Sequence, residues 1–339
     1  MKIIVTGGTG FLGRHVVWRL ANAGHHVVFT GRNNAEAQQV IAAIKHTDSA
    51  QFVRFVRLEH GSDDAGRQLQ ACAQEAGAII HCAALTSPWG SPTAFARANI
   101  ASTREVLAAC EAHGIGRLVH ISSPSVYFEF RDRLGICEDD PLPASVNEYA
   151  HSKKIAEQLV QASCLPNYVI LRPRAIFGPW DNALLPRLIR MLRYGRVPLL
   201  RGGRALLDMT YVDNVVDAVE LGLELPAVNV PPVFNITNGE PIEAAALFDR
   251  IAGSFDLAVN PVHRPYAMAD LAARGLELAA HIIPGWEPPF TRYSLGAIAF
   301  SQTLDLHRAT SVLGYHPRVT LDSGIERTAQ WWAKRKPPQ

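Results

Sequence analysis

The sequence lacks a charge excess of either sign. It carries 33 basic and 31 acidic residues, a formal net charge of +2 over 339 residues. That leaves no basic footprint for a nucleic acid. It also lacks paired cysteines. The five present, Cys72, Cys82, Cys110, Cys137 and Cys164, are odd in number and contain no C-x-x-C. That pattern argues against a disulfide framework and a zinc site, and no metal is expected. Most of the five stand in apolar stretches and are expected as small core residues. No apolar run is long enough to cross a bilayer, and MKIIVTGG has no signal-peptide core. A reducing, cytoplasmic setting without a membrane anchor is the expectation. Repeats and low-complexity segments are missing too. The basic Lys334-Arg335-Lys336 end is expected to be a solvated tail. What remains is an ordinary balance, 48% hydrophobic and 19% charged, on a chain long enough for two lobes of unequal size.

The elements alternate. KIIVTGG reads as a buried strand and a glycine turn. Phe11, Leu12, Val16, Val17 and Leu20 then follow at helical spacing. HHVVFTG, FVRFVRL (52–58), AGAIIHCAA (76–84), RLVHISS (117–123) and NYVILRP (167–173) read as further strands. Helical patterns near 65–75, 93–112 and 148–163 separate them. The spacing predicts an α/β fold, a Rossmann-type doubly wound parallel sheet. Beyond Pro173, a helix over 184–195, a strand and helix over 208–225 and a strand at 233–239 are expected, then a proline-rich remainder. The expected division is a dinucleotide-binding domain of 1–172 plus about 205–236. A smaller, mixed C-terminal substrate lobe would hold about 173–204 plus 237–339.

TGGTGFLG opens the first helix with Gly7, Gly10 and Gly13 in G-x-x-G-x-x-G spacing. Glycine allows the tight turn and the close approach of a pyrophosphate. The N–H groups of Phe11, Leu12 and Gly13 open a helix whose positive end faces that anion. The second strand ends in Thr30, Gly31, Arg32, Asn33 and Asn34, with no acid to hold a ribose 2′-hydroxyl. Arg32 can pair with a 2′-phosphate instead, with Asn33 beside it. NADP(H) is therefore the preferred cofactor, with NAD(H) still possible.

NEYAHSKKIAE places Tyr149 and Lys153 four apart, on one helix face. A phenol titrates near ~10, and a neighbouring ammonium lowers that value. The pair therefore suits proton exchange. His81 and His120 lie on apolar strands and are expected as hydrogen-bonded core histidines; His151 is expected on the surface.

Taken together, these residues resemble the extended short-chain dehydrogenase/reductase family, through most of the chain and in matching order. HCAA (81–84) resembles its H-x-A-A segment, which places Ala83 and Ala84 under the cofactor. Asn99 matches an asparagine on the next helix. ISSPSVY (121–127) resembles S-S-x-x-V-Y, which implies that Ser123 is catalytic together with Tyr149 and Lys153. Glu157 continues the Y-x-x-x-K segment as A-x-E. LRPRAIFGP (171–179) resembles the turn near the nicotinamide and adds Pro173 and Ile176. One departure is Gly61-Ser62, where the family often has G-D; Asp63 and Asp64 are expected only to start a helix.

Sugar-nucleotide members carry an arginine where Leu207 stands. DMTYVDNVV instead resembles the pattern of 3β-hydroxysteroid and sterol-4-carboxylate dehydrogenases and of 2-alkyl-3-oxoalkanoate reductases. That branch implies an oxidoreductase acting on an apolar carbonyl or secondary alcohol. Trp89, Phe128, Phe130, Trp286, Phe290 and Tyr293 are the candidate substrate residues, since loop aromatics near a cleft suit an apolar ligand. Two other readings stay open. One is a sugar-nucleotide epimerase or dehydratase, with Arg187, Arg190, Arg193 and Arg201 as cations. The other is a non-catalytic NADP-binding sensor, against which the intact Ser-Tyr-Lys set argues. The resemblance also implies a homodimer through the Tyr149 helix, where Ala150, Ile155, Ala156 and Leu159 are apolar.

Overall fold

A computed structural model describes residues 1–44, 52–193, 196–283, 285–334. Arg335 and Lys336 of the expected tail lie outside the described residues. The first half runs β1 (Lys2–Thr6), α1 (Phe11–Asn22), β2 (His26–Gly31), α2 (Asn34–Ile44), β3 (Val53–Arg57), α3 (Ala65–Ala73), β4 (Ala78–His81), α4 (Pro92–Phe95), α5 (Ser102–His113) and β5 (Arg117–Ile121). β6 (Arg133–Ile136), α6 (Glu148–Gln161) and β7 (Asn167–Pro173) follow. Then come β8 (Ile176–Phe177), α7 (Leu184–Arg193), β9 (Arg196–Leu200), β10 (Leu206–Leu207), β11 (Thr210–Tyr211), α8 (Val212–Glu224) and β12 (Val233–Ile236). The chain closes with β13 (Ile242–Glu243), α9 (Ala244–Ser254), β14 (Asn260–Arg264), α10 (Tyr266–Ile282), α11 (Arg292–Ala299), β15 (Gln302–Leu304), α12 (His307–Ser311) and α13 (Leu321–Lys334).

Seven strands form one parallel sheet in the order β12-β7-β5-β4-β1-β2-β3. Helices cover both faces, so the strands read as unbroken apolar runs. Ile3 and Val5 pack into one core and Ile4 into the other, and all three are fully buried. The order reverses between β1 and β4. Ligands of such sheets bind outside the carboxyl ends of the strands at that reversal. A second, mixed sheet runs β13-β10-β15-β6, and β11-β8 and β14-β9 are parallel pairs.

Three local expectations need correction. The helix expected over 93–112 is interrupted by a π-helical turn, Ala96–Ala101, which carries Asn99. The proline-rich remainder contains the seventeen-residue helix α10. Only Cys72 and Cys110 are buried; Cys82 is half-buried, and Cys137 and Cys164 are exposed.

Candidate active site

The glycine loop is built without room for side chains. Gly7 has φ +67°, and a Cβ there would lie 2.7 Å from the Ala83 Cα. A Cβ on Gly13 would collide with the Gly7 carbonyl. The loop thus presses the start of α1 against the end of β4. Gly10 caps α1 with no side-chain bond, and the first turn holds no acid. Arg14 N–H is the first to bond back, to Gly10 O at 3.0 Å, leaving the N–H groups of Phe11, Leu12 and Gly13 for an anion. These features fit a dinucleotide pyrophosphate. Among the described residues no group of three or more His, Cys, Asp or Glu could hold a metal ion.

Arg32 is exposed at the end of β2. The acid in the first turn of α2, Glu36, is already paired with Arg14 at 2.6 Å. Arg14 also stacks over Trp180 at 4.5 Å. The Asn33 side chain is engaged locally, where its Oδ1 accepts the N–H groups of Ala35 and Glu36 at 2.9 and 3.3 Å. Asp64 stands at the N-cap position of α3 without a side-chain capping bond and pairs with Arg67.

Helix α6 is capped by Asn147, whose Oδ1 accepts the Ala150 N–H at 2.8 Å. Its buried face includes Ala150, Lys153, Ala156 and Glu157. That face turns Lys153 onto the end of β5, where Nζ donates to Ile121 O at 2.8 Å. Ser123 follows two residues later. Its Oγ accepts the Ser125 N–H at 3.2 Å, capping a short 3-10 turn, and its own proton stays free to donate. The Ser123 hydroxyl stands close enough to the Tyr149 phenol to act on it as a hydrogen-bonding group. Ser123, Tyr149 and Lys153 therefore meet at the carboxyl edge of the sheet. Ala83 and Ala84 follow β4 and Pro173 ends β7 at that same edge, and half-buried Ile176 opens β8.

The electrostatics differ from the expectation set by Tyr149–Lys153 spacing. Burial pushes the Tyr149 phenol up, the Ser123 hydrogen bond draws it back, and Tyr293 adds to the rise. The Lys153 ammonium is directed to Ile121. Burial lowers Lys153 from 10.5 to about 8, with Glu157 and Cys82 pulling it up. Below pH 8 the folded chain carries the cost of a buried charge. Between pH 8 and 10.5 it gives up that proton while the unfolded chain keeps it, so stability rises with pH. Lys153→Met is expected to unfold at higher denaturant than the wild type below pH 8, with the gap closing toward pH 10.5. Paired urea titrations across that range check it; a pH-independent gap would contradict the burial argument.

Asn99 is 2% exposed and fully occupied. Its amide donates to Leu85 O at 3.1 Å and Ser152 Oγ at 2.8 Å, and its Oδ1 accepts the Leu85 N–H at 2.7 Å. It ties the loop after β4 to α6. The π-helical turn puts it there, as such turns do at functional sites. His81 is hydrogen-bonded, to Thr6 Oγ1 at 2.7 Å. His120 corrects the expectation: buried at 1% exposure, it has no hydrogen-bond partner on either ring nitrogen among the described residues. His151 is exposed.

The aromatic candidates divide. Phe128 is buried and meets Phe130 and Tyr293 edge-on at 5.3 and 5.1 Å. Gly296 of α11 allows this, since a Cβ there would lie 2.9 Å from the Phe128 ring. Trp89 packs instead on His281 at the end of α10, 4.9 Å between centroids. Trp286 is half-buried, and Phe290 is 37% exposed. Ala150 and Ala156 are buried within this chain, leaving Ile155 and Leu159 half-exposed on α6. No described helix is long and apolar enough to cross a membrane. Reading the sequence passed over Arg174, the buried cation after Pro173; an arginine inside LRPRAIFGP was the available signal.

Known proteins align with this chain end to end. It is 37% identical to the uncharacterized Escherichia coli (strain K12) protein YbjS, covering 98% of this chain and 97% of that one. It is 32% identical to a 2-alkyl-3-oxoalkanoate reductase of Stenotrophomonas maltophilia (strain K279a), covering 96% and 98%. The human sterol-4-alpha-carboxylate 3-dehydrogenase, decarboxylating, is 31% identical over 97% of this chain and 87% of its own. Among solved structures, MoeE5 in complex with UDP-glucuronic acid and NAD superposes with a TM-score of 0.74 at 25% identity, covering 98% and 99%. Residues 3–237 match the NAD dependent epimerase/dehydratase family, and the chain belongs to it.

Proposed function

We propose that this protein is an NAD(P)-dependent oxidoreductase acting on a carbonyl or secondary alcohol of an apolar substrate, of the 3-oxo steroid or 2-alkyl-3-oxoalkanoic acid type. The observation that carries this reading is the Ser123–Tyr149 hydroxyl pair beside the Phe128–Tyr293 aromatic contact. The glycine loop and the start of α1 would hold the pyrophosphate, and Lys153 the nicotinamide ribose. When bound, the nicotinamide supplies or accepts the hydride. Ser123 donates to the substrate oxygen and shares its developing charge. Tyr149 donates a proton to that oxygen in reduction and takes it back in oxidation. The names of the Stenotrophomonas and human relatives support the apolar class.

Leu207 favours it over a sugar nucleotide. It is 5% exposed and pairs in β10 with Ile242 and Gln302, so a buried apolar side chain stands where sugar-nucleotide members carry an arginine. Arg201 is engaged with Asp132 at 2.7 Å. The sugar-nucleotide reading keeps exposed Arg187, Arg190 and Arg193 on α7, and MoeE5 supports it by fold. The deciding experiment is NADPH and NADH oxidation against a 2-alkyl-3-oxoalkanoate, a 3-oxosteroid and a panel of UDP- and dTDP-sugars. Turnover of an apolar ketone is expected; turnover confined to the sugars would overturn the reading. NADPH is the expected donor, because Arg32 is exposed while Glu36 is taken by Arg14. Arg32→Ala should then lower the NADPH-to-NADH ratio of kcat/KM about 10–100-fold, the worth of a charge-assisted contact. An unchanged ratio would remove Arg32 from the cofactor site.

A further inference from the structure

Two buried arginines stand two residues apart at the end of β7, and they are partnered differently. Arg172 is 2% exposed and makes a two-pronged ion pair with Glu157. Arg174 is 9% exposed and makes no ion pair among the described residues. Its Nη1 donates to Gln302 Oε1, and its buried Nε has no hydrogen-bond partner among the described residues. The nearby acid, Asp208, accepts the Leu304 N–H on Oδ2 at 2.7 Å; its buried Oδ1 has no hydrogen-bond partner, and it makes no ion pair with Arg174, among the described residues. Burying a guanidinium with an unused N–H edge is unfavourable unless something completes it.

The surroundings of Arg174 identify what completes it. Gln302, which holds one end of the guanidinium, donates its own amide to Pro124 O at 3.3 Å, one residue from Ser123. Tyr293 interacts electrostatically with Arg174 and also with Tyr149. Arg174 is therefore tied through Gln302 to the Pro124 carbonyl, next to Ser123. Its backbone is fixed as well. The Arg174 N–H donates to Ile236 O at 3.0 Å, and the Thr210 hydroxyl donates to the Arg174 carbonyl at 2.5 Å. Ala175 follows with φ 45°, a left-handed conformation that a non-glycine residue holds only when its neighbours impose it.

We propose that Arg174 anchors a carboxylate on the substrate, one carbon away from the reacting carbon. The inference rests on the reading of this protein as an oxidoreductase of apolar 3-oxo or 3-hydroxy compounds, and it narrows that class to acids. The chemistry sets the distance. In a 2-alkyl-3-oxo acid, one carbon separates the carboxylate from the carbonyl. A cation that binds the acid must then stand beside the groups that bind the oxygen. Arginine suits this role, because its planar fork matches a carboxylate in two parallel hydrogen bonds. The alkyl chain is left to the Phe128, Phe130 and Tyr293 rings.

The test uses the full-length protein with NADP and a 2-alkyl-3-hydroxyalkanoate, compared with its methyl ester. The ester keeps the alcohol and the chain but removes the charge. In each turnover Tyr149 first releases its proton to solvent, the carbinol carbon gives its hydride to the nicotinamide, and the hydroxyl proton passes to the Tyr149 phenolate. The wild type should favour the acid over the ester. Arg174→Met should lower the acid-to-ester ratio of kcat/KM about 10–100-fold, mainly through KM. Arg174→Lys keeps the charge opposite Asp208 but loses the fork, and should give a smaller fall in the same ratio. It also keeps the test sound if the methionine variant does not fold. A wild type that treats acid and ester alike, or a ratio unmoved in both variants, overturns the anchor and leaves the oxidoreductase reading standing. Turnover of UDP-sugars with neither acid nor ester overturns both.

Discussion

Replacing Tyr149 with phenylalanine is expected to reduce turnover about 10²–10⁴-fold, the worth of a positioned proton transfer, with little change in the urea midpoint. The phenol is the group best placed to move the proton, and its surroundings decide the direction. Burial holds it protonated at neutral pH, which poises it as an acid toward a forming alkoxide. The Ser123 hydrogen bond works against burial and eases the release. Lys153, proposed to hold the nicotinamide ribose, loses its charge as pH rises through about 8. Reduction by the wild type should therefore decline above that pH. Single-turnover hydride transfer at several pH values, followed by nicotinamide absorbance, measures both effects. A Tyr149→Phe protein with near-normal rates would remove Tyr149 from the chemistry, whatever the substrate.

The spacing of Tyr149 and Lys153 correctly implies one helix face, and it misjudges the electrostatics. Position on a helix follows from the sequence interval. The destination of a four-carbon side chain does not, and here Nζ ends on a carbonyl of β5. The same distinction runs through the molecule. The glycine loop, HCAA and ISSPSVY are legible because each occupies one turn or one strand end. The parallel sheet is legible because strands buried on both faces have a simple apolar pattern. Arg174 is not, since its meaning comes from Gln302, 128 positions later. Helix α10 is hidden for a different reason. Met268, Leu271, Leu278 and Ile282 lie on its exposed side, so its apolar stripe does not mark a buried face.

Glu157→Gln is expected to cost about 3–5 kcal/mol of stability, the usual loss when one member of a buried ion pair is removed. Glu157 is 1% exposed. It accepts Arg172 Nε at 2.8 Å and Nη2 at 2.5 Å, together with the Ser122 hydroxyl. It thereby ties α6 to both β5 and β7 directly behind the site. With glutamine there, Arg172 keeps one neutral acceptor beside its stack on Tyr127, at 4.7 Å, the Tyr127 hydroxyl and a long bond to Glu138 O at 3.4 Å. Domains are stable by only about 5–15 kcal/mol, so the loss should be plain in urea. Glu157 also faces Lys153 one turn earlier and is the main influence raising it against burial. Its neutralisation should move the basic limb of the turnover profile below pH 8. The double variant Glu157→Met, Arg172→Met separates the two roles. Replacing both charges with apolar groups of similar size should recover much of the stability. The shift of the basic limb should persist, because Lys153 still lacks its neighbouring carboxylate. If the double variant restores the wild-type pH profile along with the stability, Glu157 acts on the site through packing alone.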